Sequence, residues 1–452
     1  MLEAGFGSAD MTPRLGMQTS LSVSLKITAI VTPLQVKVCL IRCRSIMTAI
    51  VSVDTTSLYS CVIDDMRRVV SKATGVTVNR IVLNSTHTHS SPFLHRSAQD
   101  YLDRRGLRFL NRDYYEQVLQ SVERAAIEAF RRLKAVKVKC STGQVSEVAC
   151  NRRVPLEDGT IGVRYGRGVS AKLRAYPDGL IDPDVSCAWF IDGENHVIGS
   201  MINYACHATS YNQLSEICWD FPGFAAQAVE RELGGICMFL QGCAGNISPG
   251  KYTVGEPLAD CMNMGSRVAE AASGSYSSAQ DINADELFVD SGLVATGLRI
   301  MRGEEELKLM LDAEIAGFRA AHSSNPDLCT GEYNSANILS LAERLVLLDR
   351  YPDLQMASEI TVIKLGKLVL VFMPGELFIQ SALRLKNEFP HFKLMIMAYA
   401  DVSLEYVPCI EAYAEKGGYE TCEEWCFSIP GNAEKLESRA AAMIRHATEM
   451  SG

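Results

Sequence analysis

Two histidines two positions apart, in Asn84-Ser85-Thr86-His87-Thr88-His89-Ser90-Ser91-Pro92, are the side chains of this chain best suited to do chemistry. They follow Arg80-Ile81-Val82-Leu83, an apolar run that reads as a buried strand. Side chains alternate faces along a strand, so histidines two positions apart would project together from its end. Imidazole is the commonest metal ligand and titrates near neutrality without help. Only eight histidines occur in 452 residues, and two of them share this tripeptide. The plain alternative is a polar strand end whose histidines cap turns.

A third histidine stands in the same kind of place. Ile202-Asn203-Tyr204-Ala205-Cys206-His207-Ala208-Thr209 sets His207 directly after a strand-like run that begins at Val197. Leu368-Val369-Leu370-Val371-Phe372-Met373-Pro374-Gly375-Glu376 is a hydrophobic strand broken at Pro-Gly, and it delivers a carboxylate where a helix over residues 377–388 would start. Taken alone, Glu376 is a helix-start acid that favours the macrodipole. Taken together, strand ends offering His, His and Glu match the needs of a zinc hydrolase: neutral nitrogen and anionic oxygen ligands on rigid elements, with one position open for water.

With these residues in view, the chain resembles the neutral (non-lysosomal) ceramidases. His87-Thr88-His89-Ser90-Ser91-Pro92 is similar to their T-H-T-H-S-G-P segment, Asn203-Tyr204-Ala205-Cys206-His207 to N-F-A-C-H, and Pro374-Gly375-Glu376-Leu377-Phe378 to P-G-E-F. Asp401-Val402-Ser403-Leu404-Glu405-Tyr406, then Tyr413 and Tyr419-Glu420, resemble their later tyrosine series. The motifs keep their order over nearly the whole chain, closest to the bacterial ceramidase-like branch. The resemblance implies one zinc ion per chain held by His87, His207, Glu376 and Tyr406, with His89 as a catalytic histidine that does not bind the metal. Without it, Tyr406 reads as a core or turn aromatic. It also implies that Arg152, in Cys150-Asn151-Arg152-Arg153-Val154-Pro155, stabilises oxyanion charge, and that Tyr419 contacts substrate. Read alone, the two arginines are an exposed pair in a loop.

The Gly-rich segment Leu240-Gln241-Gly242-Cys243-Ala244-Gly245-Asn246-Ile247-Ser248-Pro249-Gly250 invites a phosphate-loop reading. No Lys-Ser/Thr pair completes a Walker pattern, so that reading fails. In ceramidases the corresponding G-D-V-S-P carries a serine. Here Ser248 stands at that position and Asn246 replaces the aspartate; both are expected in the substrate-binding wall, with Ser248 not a nucleophile.

These side chains need strands to carry them and helices to cover the strands. Apolar runs between residues 26 and 54 precede a helix over 57–72. Further helices are expected over 114–133, 221–233, 303–321, 335–348 and 432–448, and residues 281–300 read as a polar linker followed by a strand. Residues at about 303–350 look like a helical insertion, covering the site or forming an interface. The order of elements predicts an α/β fold, a layered body around a mixed β-sheet with flanking helices. Residues 1–452 would form a single ceramidase-like catalytic domain without the C-terminal β-sandwich of ceramidases proper.

Composition narrows the partners. Lys and Arg number 44 against 53 Asp and Glu, a net charge of −9 with no basic stripe, which argues against nucleic acid and anionic membranes. No apolar run approaches the ~20 residues of a membrane helix, and no secretory leader is evident. Fifteen cysteines scattered through apolar runs look like small core residues of a cytoplasmic protein. The expected function is a zinc-dependent amidohydrolase of lipid metabolism, cleaving the amide of a ceramide-like or smaller N-acyl compound by attack of zinc-bound hydroxide. A zinc esterase or peptidase, or a non-catalytic metal-binding homologue, are the alternatives. Homo-oligomer formation stays open.

Overall fold

The apolar runs form three sheets in the computed structural model, which describes residues 1–19, 22–212, 215–324 and 335–449. The first sheet runs Ile81–Ser85, Ile46–Val53, Gln35–Cys43, Leu2–Asp10 and Lys134–Ala135. The second runs Ile236–Gln241, Val197–Tyr204, Asp184–Ile191, Lys137–Gln144 and Gln280–Asp281, and the third Leu287–Gly297, Gln355–Leu365, Leu368–Phe372 and Lys393–Met397. Their inner faces share one core, with Phe6 and Ile50 from the first sheet, Phe190 and Met201 from the second, and Leu370 and Met397 from the third.

Each sheet is antiparallel except for one parallel pair. Ile46–Val53 pairs with Ile81–Ser85, Val197–Tyr204 with Ile236–Gln241, and Leu368–Phe372 with Lys393–Met397. Parallel neighbours need a crossover connection. Here each crossover contains a helix: Ser60–Thr74, Asp220–Leu233 and Ile379–Glu388 respectively. Among the described residues, each of these three sheets therefore holds one βαβ unit. Ligand sites in such units form beyond the carboxyl ends of the parallel strands, where the expected site residues stand.

Helices cover the outer faces. Arg112–Arg131 is opened by Asn111, whose Oδ1 accepts from Tyr114 N at 3.0 Å, and it buries Val118, Val122, Ala125 and Ala129 at helical spacing. It lies so close to Leu2–Asp10 that a Cβ on Gly5 or Gly7 would collide with the carbonyls of Ala129 and Ala125. Pro257–Gly274 packs on the second sheet and Asn432–Glu449 on the third. Helix Ser335–Arg350 packs against Glu304–Ser324 and Arg96–Asp103.

Some boundaries differ from the sequence reading. The first helix is shifted to Ser60–Thr74 and ends at Gly75, whose φ of 77° is left-handed. The helix after Pro374-Gly375 begins only at Ile379, because Glu376–Leu377 pairs instead with Tyr406–Val407 as a short parallel strand. Of the linker Ser323-Ser324-Asn325-Pro326, the serines continue the helix; the remainder, with Gly331-Glu332-Tyr333-Asn334, lies outside the described residues. The cysteines among the described residues are free thiols, and none of the described helices is long and apolar enough to cross a membrane.

Candidate metal centre and its cavity

Strand alternation is not what brings His87 and His89 together. The strand ends at Ser85, and His87 takes a left-handed φ of 63° that turns the chain before His89. The two rings meet edge to face at 4.8 Å, with Nε2 atoms 3.3 Å apart. His207 arrives from beyond Val197–Tyr204, its Nε2 3.0 Å from that of His87. These three histidines form a group whose ligand atoms lie within 4.8 Å of one another. Glu376 Oε2 lies 3.3 Å from His207 Nε2 and 3.7 Å from His87 Nε2, and Tyr406 Oη lies 3.5 Å from His207 Nε2. The parallel register that sets Glu376 opposite Tyr406 delivers the acid and the phenol together.

The donor set fits a cation. His87 Nδ1 is 2.6 Å from Thr56 O, and His207 Nδ1 is 2.8 Å from Ala244 O. A carbonyl oxygen only accepts, so both Nδ1 atoms carry the proton and both Nε2 atoms present lone pairs. Burial holds both imidazoles well below their usual pKa; Glu376 opposes this for His87, while Arg152 and His89 add to it for His207. Two lone pairs and a carboxylate oxygen thus face one another with no proton to share. Glu376 Oε2 is buried and has no hydrogen-bond partner. A positive ion among them would satisfy all three. His89 is only half-buried; burial lowers it to about 4, with Glu376 opposing and Arg152 assisting.

Arg152 closes one flank and is not an exposed loop arginine. It is 2% exposed, its Nε donates to Glu420 Oε1 at 2.7 Å, and its Nη2 donates to Gly245 O. The guanidinium lies 5.1 Å from the Tyr406 ring centre and 4.8 Å from that of Tyr419. Burial lifts Tyr419 to about 12 despite Arg152. Arg153 is buried too, its Nη1 2.6 Å from Glu420 Oε2, so one carboxylate joins both arginines.

Asn246 and Ser248, expected as substrate-contacting wall, are turned into the frame. Asn246 Oδ1 accepts from Ile379 N at 2.9 Å, capping helix Ile379–Glu388, and its Nδ2 donates to Gln380 Oε1 at 3.0 Å. Ser248 Oγ donates to Arg164 O at 2.8 Å. Its short strand pairs with Cys150–Asn151 and so backs the segment that carries Arg152. Neither side chain lines the cavity. The reason is topological: the loop lies behind Arg152, a relation set by pairing across about a hundred residues.

A cavity of about 510 Å³ opens over the histidines. Its lining includes His87, His89, Glu376, Tyr406 and Tyr419 below, and Phe93, Leu94, Ala336, Leu339 and Trp425 around the apolar part. Helix Ser335–Arg350 thus forms one wall.

Four residues near the site were given no role from sequence. Tyr399 lies with its ring 4.4 Å from that of His87 and its Oη 3.4 Å from His207 Nδ1. It stands two residues beyond a strand end with a φ of 59°, as His87 does, and that position was the available signal. Glu420 and Glu405 sit beside named tyrosines, but nothing local marks them as buried. Glu343, on the helical wall, is held up at about 7 by burial, against hydrogen bonds from Tyr59 and Glu405.

No family model matches the chain. Over 178 residues, 38% of the chain, it is 25% identical to the neutral ceramidase of Pseudomonas aeruginosa, and the match spans only 24% of that relative. The crystal structure of the neutral ceramidase from Pseudomonas aeruginosa superposes with a TM-score of 0.72 at 20% identity, covering 98% of this chain and 75% of that one. A ceramidase complexed with C2 superposes at 0.70 and 19% identity, with the same coverage. The chain resembles neutral ceramidases in sequence and shares their fold.

Proposed function

We propose that this chain, built on the neutral ceramidase fold, is a zinc-dependent amidohydrolase acting on a small N-acyl compound. The observation that carries the reading is the unpartnered Glu376 Oε2 facing the lone pairs of His87 and His207. His87, His207, Glu376 and Tyr406 would hold the ion, a nitrogen and oxygen set that suits zinc. When bound, zinc would supply Lewis acidity and acidify a water in the site.

The remaining chemistry belongs to the chain. The substrate carbonyl lies in the cavity against Tyr419, and water adds to its carbon. His89 Nε2, neutral at pH 7, takes the proton and returns it to the nitrogen as the C–N bond breaks, giving an acid and an amine. Arg152 holds the negative charge developing on the carbonyl oxygen. Its Nε and Nη2 are engaged by Glu420 and Gly245, so the guanidinium is fixed before substrate arrives. Ser248 forms no covalent intermediate, because its hydroxyl is committed to Arg164 O.

Elemental analysis of the purified protein, with turnover of a panel of matched N-acyl amides and esters, tests this reading. About one zinc per chain and cleavage of the amides are expected. Ester cleavage alone would make it a zinc esterase, and zinc without turnover of either would leave a metal-binding homologue.

A further inference from the structure

Tyr399 touches each of the three segments that bring His87, His207 and Glu376 to the proposed centre. Its N–H donates to Gly375 O at 3.1 Å, one residue before Glu376. Its carbonyl accepts from Ser85 N at 3.4 Å, two residues before His87. Its ring lies 4.4 Å from that of His87, and its Oη lies 3.4 Å from His207 Nδ1. The side chain is 0% exposed and does not line the cavity, so contact with substrate does not explain it.

The backbone at this position is held against its preference. A φ of 59° is an outlier for so bulky a side chain, and it persists only where the surroundings over-determine it. Packing alone does not call for a phenol there either. Phenylalanine would fill the same space, and burying a hydroxyl is costly unless it is hydrogen-bonded. His207 Nδ1 carries a proton, because it donates to Ala244 O at 2.8 Å. The phenol oxygen at 3.4 Å therefore accepts a second, longer share of that proton. Outer partners of this kind fix the tautomer and ring orientation of a metal-binding imidazole and raise its basicity.

We propose that Tyr399 is a positioning residue of the metal centre. Its hydroxyl, with Ala244 O, fixes His207 so that Nε2 faces the ion, while its ring and backbone hold His87 and Glu376 in the same frame. The inference rests on the metal reading above and extends it beyond the four ligands. It makes zinc affinity, and not the shape of the cavity, the property that Tyr399 sets.

Tyr399→Phe keeps the ring and removes only the hydroxyl, and competition for zinc with a chromogenic chelator reads affinity without turnover. The variant is expected to bind zinc about tenfold or more weakly, with the circular dichroism of the unaltered protein. With cobalt(II) in place of zinc, the visible absorption bands, which report ligand geometry, should shift in the variant. A merely structural role would change urea unfolding of the metal-free protein and leave affinity and spectrum alone. A folded Tyr399→Phe variant with zinc affinity within about threefold of the unaltered protein and an unshifted cobalt spectrum overturns the proposal and leaves the metal reading standing. Failure of the unaltered protein to bind either ion would instead overturn the metal reading, and the proposal with it.

Discussion

The floor of the cavity draws His87, His207, Glu376 and Tyr406 from the ends of three sheets, across more than 300 positions of sequence. His87 and His207 are each tethered through Nδ1 to a backbone carbonyl, and left-handed φ values gather nearby at His87, Tyr399 and Glu405. Such conformations persist where the surroundings over-determine them. The helical wall is made differently. Ala336, Leu339 and Glu343 come from one helix, at the spacing of a single helix face. A change in the floor would remove chemistry, whereas a change in that wall would alter which molecule fits. The proposed catalysis and the fit of the substrate thus rest on separable parts.

The sharpest way to break this division is His207→Ala. Loss of a floor nitrogen should abolish turnover and most bound zinc while the fold survives, read by elemental analysis beside circular dichroism. Near-stoichiometric zinc in that variant would remove His207 from the floor. Next in size is Glu420→Ala, which strands Arg152 as a buried charge while Arg153 keeps Glu415, and should cost about 3–5 kcal/mol in urea unfolding. A cost under about 1 kcal/mol would mean that water reaches the pair.

His89→Ala comes third. It should keep its zinc and lose on the order of a hundredfold in turnover, the size of a general acid-base contribution. Because the three histidines form one compact group, a variant as zinc-poor as His87→Ala would make His89 a ligand. Leu339→Ala addresses the wall: about 2 kcal/mol of stability and a shifted substrate-size preference, with unchanged zinc. A fall in zinc content would show that wall and floor are coupled. Ser248→Ala should have the smallest effect, about 0.5–1.5 kcal/mol, chiefly for the lost hydrogen bond to Arg164 O. An acyl adduct on Ser248 in enzyme quenched during turnover would overturn direct attack by water.

The positions of the donors were legible in the sequence, because an apolar run that stops at a polar residue marks a strand end wherever it lies. His87, His207 and Glu376 each follow such a run, and the run lengths with intervening helical periodicity already implied an α/β fold. The face that a loop residue turns was not legible. Asn246 and Ser248 sit in a Gly-rich loop whose local pattern suits a wall, yet both side chains bond backward into the frame. Glu420 and Tyr399 gain meaning only from partners 268 and 192 positions away. Local sequence governs periodicity, capping and turns, which depend on near neighbours. Which lone pairs confront one another, which carboxyl oxygen is left without a hydrogen-bond partner and which arginine is buried depend on how three sheets pack about a common core. Only the tertiary structure decided those.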